Sequence, residues 1–145
     1  MILQHGFKHF DDFLIAFMRR YGVTLLRTTL GVVFIWFGAL KVFGVSPVVD
    51  LLRETYSFLP QEPLVLILGL VEIVVGACLI FKFFLRGALA FLWIQMAGTF
   101  FTFFLNPPLF FSHGNILLLT QTGEFVVKNL VFVASGIVIG GYDVE

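Results

Sequence analysis

Five ionisable side chains, Arg27, Lys41, Glu72, Glu124 and Lys128, fall inside apolar stretches of this chain, together with the amides Gln95 and Asn129. A charge in hydrocarbon is expensive, so each must face protein, an opposite charge or a polar cavity. Three cations against two carboxylates leave one positive charge over. A cavity lined this way would suit an anionic or carbonyl-bearing ligand such as a quinone headgroup. Glu72 could alternatively move protons, because desolvation raises the pKa of a carboxyl unless a cation stands close. The plainer alternative is that the cations neutralise Glu72 and Glu124 and fix helix register at a cost in stability.

The spacing of these residues says what must hold them. Arg27, Gly31, Gly38 and Lys41 recur at steps of four, seven and three, which keeps them on one narrow helical face. Gly69, Glu72 and Gly76 form a similar face in the next apolar run, and Gln95, Thr99, Thr102 and Asn106 form another. The last run contributes Glu124, Lys128 and Ser135, with Glu124 and Lys128 in the favourable i,i+4 order. Four helices with one polar face each predict an all-α, antiparallel four-helix membrane bundle whose interior is hydrogen-bonded and whose outside is Phe, Leu and Val.

Composition supports that class. Of 145 residues 59% are hydrophobic and 12% charged, and the mean hydropathy is +1.03. Twenty phenylalanines exceed what a water-soluble chain of this size could hide, so lipid must cover many of them. The length suits a single domain over residues 1–145. Apolar runs near 21–43, 62–81, 86–105 and 123–141 each approach the roughly 20 residues a bilayer core requires. An even number of spans puts both termini on one side. Lys8, Arg19, Arg20, Lys82 and Arg86 lie on that side and Arg53 in the opposite loops, so the positive-inside rule predicts cytoplasmic termini in a multi-pass cell-membrane protein. Zero net charge without a basic stripe argues against nucleic acid and leaves lipids and other membrane subunits as the expected partners.

Two further elements are expected outside the spans. Phe7, Phe10, Leu14, Phe17, Met18 and Tyr21 recur at three- and four-residue steps, giving an N-terminal amphipathic interfacial helix or an extension of the first span. Ser46 followed by Pro47 can start a short surface helix in the first outer loop, with Val48, Leu52, Thr55 and Leu59 on one side. The second outer loop, from Asn106 to Asn115, has turn chemistry and two phenylalanines expected at the membrane interface.

Several chemistries find no support. His5, His9 and His113 lie outside the spans, which removes a bis-histidine haem between membrane helices. No HExxH, phosphate-binding loop or nucleophile elbow occurs, so no catalytic constellation, metal site or intrinsic cofactor is expected. The lone Cys78 cannot form an intramolecular disulfide or a dithiol relay.

The segment Leu26 to Lys41, Leu68-Gly-Leu-Val-Glu72 with Gly76, Gln95-Met-Ala-Gly98-Thr-Phe, and Gly123-Glu-Phe-Val-Val-Lys128-Asn129 together resemble the DoxX-like family of small four-helix membrane proteins. The resemblance runs from Leu26 to Gly141. It implies a bundle with an inner polar cluster at Arg27, Lys41, Glu72, Gln95, Glu124, Lys128 and Asn129, and an association with redox systems. Some relatives are membrane subunits of a thiosulfate:quinone oxidoreductase or partners of oxidative-stress proteins. The function expected is a non-catalytic accessory subunit of a larger redox or electron-transfer complex that shapes a lipid or quinone pocket. A small proton- or solute-coupled transporter and a membrane assembly factor are the alternatives.

Overall fold

The computed structural model describes residues 2–144, with side chains described from Lys8 onward apart from Pro47. Five α-helices follow one another: α1 (Ile2–Val42), α2 (Pro47–Thr55), α3 (Gln61–Phe81), α4 (Leu85–Leu105) and α5 (Gln121–Tyr142). All but α2 are long and apolar enough to cross a membrane. They form an up-down-up-down bundle in which α1 packs on α3 and α5, and α4 packs on α3 and α5. Phe43, Phe81 and Phe104 on the outside are more than 70% exposed, as suits side chains that meet lipid rather than water.

The tightest joint is α1 against α3, and glycine makes it possible. Gly31 opposes Gly76 and Gly38 opposes Gly69, and a Cβ at any of the four would stand 2.5 to 2.7 Å from the carbonyl oxygen across the joint. Small residues let the backbones approach, which is how membrane helices gain packing without a hydrophobic driving force between them. Leu30, Phe34, Val75, Leu79, Leu89 and Leu92 then fill the core beside this seam.

One end of the bundle holds the tight α3–α4 turn and the end of α5; it is called the terminal end here. Lys82 and Phe84 both adopt positive φ there, 57° and 49°, a conformation that bulky L-residues rarely take. The opposite, loop end is closed by α2 and by the segment between α4 and α5. Ser46 caps α2 by accepting a hydrogen bond from Val48 N at 3.3 Å. The expected surface helix is therefore present, but its buried side chain is Leu51, which packs with Phe110 and Val126 in a second small core.

Two expectations need correction. Residues 2–42 are one continuous helix with no break near Tyr21, so the N-terminal segment extends the first span and is not a separate element. Phe10, Phe13, Phe17 and Met18 are well exposed along it, while Phe7 and His5 lie outside the described side chains. Phe110 is fully buried and does not dip into the interface. Its ring centroid lies 4.2 Å from that of Phe103, and its carbonyl accepts from Thr120 N at 2.9 Å, which folds the loop back over the bundle.

Candidate functional site

Lys41, Glu72 and Gln95 meet at the centre of the bundle. Lys41 Nζ stands 2.8 Å from Glu72 Oε1 and 2.6 Å from Oε2. Gln95 Nε2 donates to Glu72 Oε1 from α4. Lys41 is 5% and Glu72 3% exposed, so this is a desolvated pair whose charges cancel in place. The local geometry follows from helix stereochemistry. Side chains lean toward the N-terminus of their own helix. On antiparallel α1 and α3 those leanings point at each other, so Lys41 reaches one turn deeper and Glu72 reaches back to meet it.

Two cavities are lined by Gln95 of this triad. One, of about 40 Å³, is lined by Lys41, Glu72, Gln95, Asn129 and the rings of Phe34, Phe37, Phe125 and Phe132. It has room for only one or two waters. The other, of about 220 Å³, is an apolar slot between α2, α3 and α4, walled by Leu51, Leu52, Leu59, Leu64 and Leu68 and floored by Gln95, Thr99 and Thr102. Leu59 and Gly98 at its rim are exposed, so the slot opens to the outside of the bundle. Val48, Gln95 and Thr99 line both spaces.

The single polar cluster expected from sequence is divided. Arg27 lies at the terminal end, about 21 Å from Lys41 along α1 at 1.5 Å per residue. Its Nε donates to Asp143 Oδ2 at 2.7 Å, and its Nη1 donates to the carbonyls of Leu79 and Ile80, the latter at 2.9 Å. Arg27 thereby serves the last carbonyls of α3, which no longer have intrahelical partners and carry the negative end of the helix dipole. Lys82 Nζ stands 3.3 Å from Asp143 Oδ1. Burial pushes the Asp143 carboxyl up, but hydrogen bonds and charge from Arg27 and Lys82 outweigh it and hold the group below its usual range.

Glu124 and Lys128 leave the cluster altogether. Their side chains are 60% and 76% exposed and only 3.9 Å apart. The reason is helical phase: Asn129 faces the small cavity, Glu124 lies five residues and so about 140° away from it, and Lys128 about 100°. Ser135 and Thr102 are buried but donate to Val131 O and Thr99 O within their own helices, at 2.7 and 2.5 Å. The expected surplus of positive charge is therefore not in the cavity, which is electrically balanced by Lys41 and Glu72.

Sequence reading missed Asp143 and the slot. Asp143 is the first charge beyond the last span and lies at the same end as Arg27 and Lys82, so matching charges by bundle end would have found it. The slot depends on how α2 folds against α3 and α4, and no spacing encodes that. Among the described residues, no three His, Cys, Asp or Glu side chains come together as a metal site.

An all-α bundle of four membrane helices around a buried, charge-neutral Lys–Glu–Gln triad defines a multi-pass membrane protein. Residues 22–105, which include every member of that triad, match the DoxX family, and the chain belongs to it. No curated protein and no solved structure matches the chain.

Proposed function

We propose that the protein is a non-catalytic accessory subunit of a larger membrane redox or electron-transfer complex, and that its slot holds a neutral lipophile, a quinone or a lipid, with the polar end at Gln95. The observation that carries this is Gln95, which lines the apolar slot and donates to the electrically balanced Lys41–Glu72 pair. Binding sites for small molecules are mostly apolar with a few fixed polar groups, as here. Charge balance disfavours an anion and favours an uncharged guest. The broad belt of exposed Phe, Trp, Ile and Val offers contact area to lipid and to larger membrane partners. Family membership adds the redox context implied by the resemblance.

The orientation proposed has both termini in the cytoplasm. Lys8, Arg19, Arg20, Lys82 and Arg86 fall toward the terminal end, while Arg53 and the exposed Lys128 fall toward the loop end. Proton movement through Glu72 is the less favoured alternative, because Lys41 engages both carboxylate oxygens and Gln95 one of them.

The test is mass spectrometry of the protein extracted in native nanodiscs. Copurification with redox subunits and a slot-bound lipophile is the result expected. A solitary species with no bound lipophile would overturn the proposal.

A further inference from the structure

Asn129 brings an amide into the interior from α5 and finds no partner there. It is 5% exposed, yet its side chain makes no hydrogen bond among the described residues. An amide carries N–H donors and a carbonyl acceptor, and burying them unpaired is costly. Unlike Gln95 Oε1 and Thr55 Oγ1, the Asn129 oxygen and nitrogen are not sealed off from a water-sized neighbour. The cavity that Asn129 lines is the chamber of about 40 Å³, whose wall also includes Lys41, Glu72 and Thr99. Two ring pairs cross from α1 to α5 on either side of Asn129 and frame this chamber. Phe37 meets Phe125 at 6.1 Å between centroids, and Phe34 meets Phe132 at 5.9 Å.

We infer that this chamber is a hydration site, in which trapped water pairs with the Asn129 amide and bridges it to the Lys41–Glu72 pair. The volume suffices, since a water needs only about 10 to 15 Å³ of such space. A buried water also needs polar partners on more than one side, and the chamber wall supplies them. The Lys41 ammonium has a further N–H beyond those that serve the two Glu72 oxygens, and Glu72 Oε2 takes no bond from Gln95 and keeps acceptor capacity. Water is the occupant that fits. The charges of Lys41 and Glu72 cancel, so an ion would enter unbalanced, and the phenyl rings leave no room for a larger guest. Helices α1, α3 and α4 meet directly in the triad, whereas α5 gains its polar tie to them through this water. The inference is independent of what the slot holds.

The test is radiolytic hydroxyl footprinting of the full chain in nanodiscs equilibrated with heavy-oxygen water. Radicals formed from trapped water oxidise the side chains beside it, and mass spectrometry locates the heavy oxygen. Met96, Phe125 and Phe132 on the chamber wall should be labelled above Ile94 and Leu130, which are exposed on the outside of the same two helices. Asn129→Leu keeps the branched shape but cannot hydrogen-bond, and should abolish that excess. Asn129→Ser, whose hydroxyl both donates and accepts, should retain it. No excess in the wild-type protein would show a dry chamber and overturn the inference, whether or not either variant folds. An excess unchanged in Asn129→Leu, or lost equally in Asn129→Ser, would overturn Asn129 as the group that holds the water.

Discussion

Lys41 on α1 and Glu72 on α3 form a two-pronged contact, with the ammonium nitrogen within 2.8 Å of both carboxylate oxygens and neither residue more than 5% exposed. Removing one member strands the other charge where solvent cannot reach it. Lys41→Met should destabilise the bundle by about 3 to 5 kcal/mol, and Lys41→Met combined with Glu72→Leu should recover much of that loss. Unfolding in a graded detergent titration, followed by circular dichroism, measures both. An additive double variant would reject the pairing.

The exposed pair on α5 should behave in the opposite way. Lys128 and Glu124 are both more than half exposed and 3.9 Å apart, so Lys128→Met should change stability by less than about 0.5 kcal/mol. The same titration, run beside Lys41→Met, makes the comparison internal. A loss as large as that of Lys41→Met would show that Lys128 faces the interior.

At the terminal end the expected effect depends on pH. The Asp143 carboxyl is held below its usual value, so its folded-state pKa lies under its unfolded one. The stabilisation is therefore fully present above the ordinary carboxylate range and is lost as pH falls through the lowered pKa. The Asp143 contribution to wild-type stability should hold from neutral pH down to the ordinary carboxylate range and then decline as pH falls below it. Asp143→Asn should lower the plateau and flatten that part of the decline.

Glycine substitutions should separate by position. Gly76→Ala would set a Cβ 2.5 Å from Gly31 O and should cost about 1 to 3 kcal/mol, the range for overpacking. Gly22→Ala meets no atom within 4 Å and should be neutral or mildly stabilising, since alanine favours the helix. Thermal denaturation of the two variants in one detergent tests the contrast.

Sequence periodicity found the four long apolar helices, with the ends of α3, α4 and α5 within two residues, because about 20 apolar residues and glycine or proline punctuation leave few choices, but it started the first near residue 21 where the helix runs from Ile2. It also placed Lys41, Glu72 and Gln95 on inward faces. It misplaced Glu124 and Lys128 because an i,i+4 pair looks alike on an inner and an outer face, and near a helix start the phase is fixed by tertiary contacts. Gly123 against Phe110 O supplies one such contact here. Arg27 was legible as inward-facing, yet its partner Asp143 lies 116 residues away in a tail that periodicity does not reach.

The glycine seam also divides the bundle mechanically. With backbone oxygens of α1 and α3 set against Gly31, Gly38, Gly69 and Gly76, neither helix can slide or roll by one residue without driving a side chain into the other's main chain. The two helices are a single rigid plate carrying Lys41 and Glu72. Gln95 rides on α4, across a joint that has no such interlock, and the slot runs along that joint. A bulky guest of the kind proposed would be admitted by a swing of α4 away from the plate, with the hydrogen bond from the Gln95 amide to Glu72 as its latch.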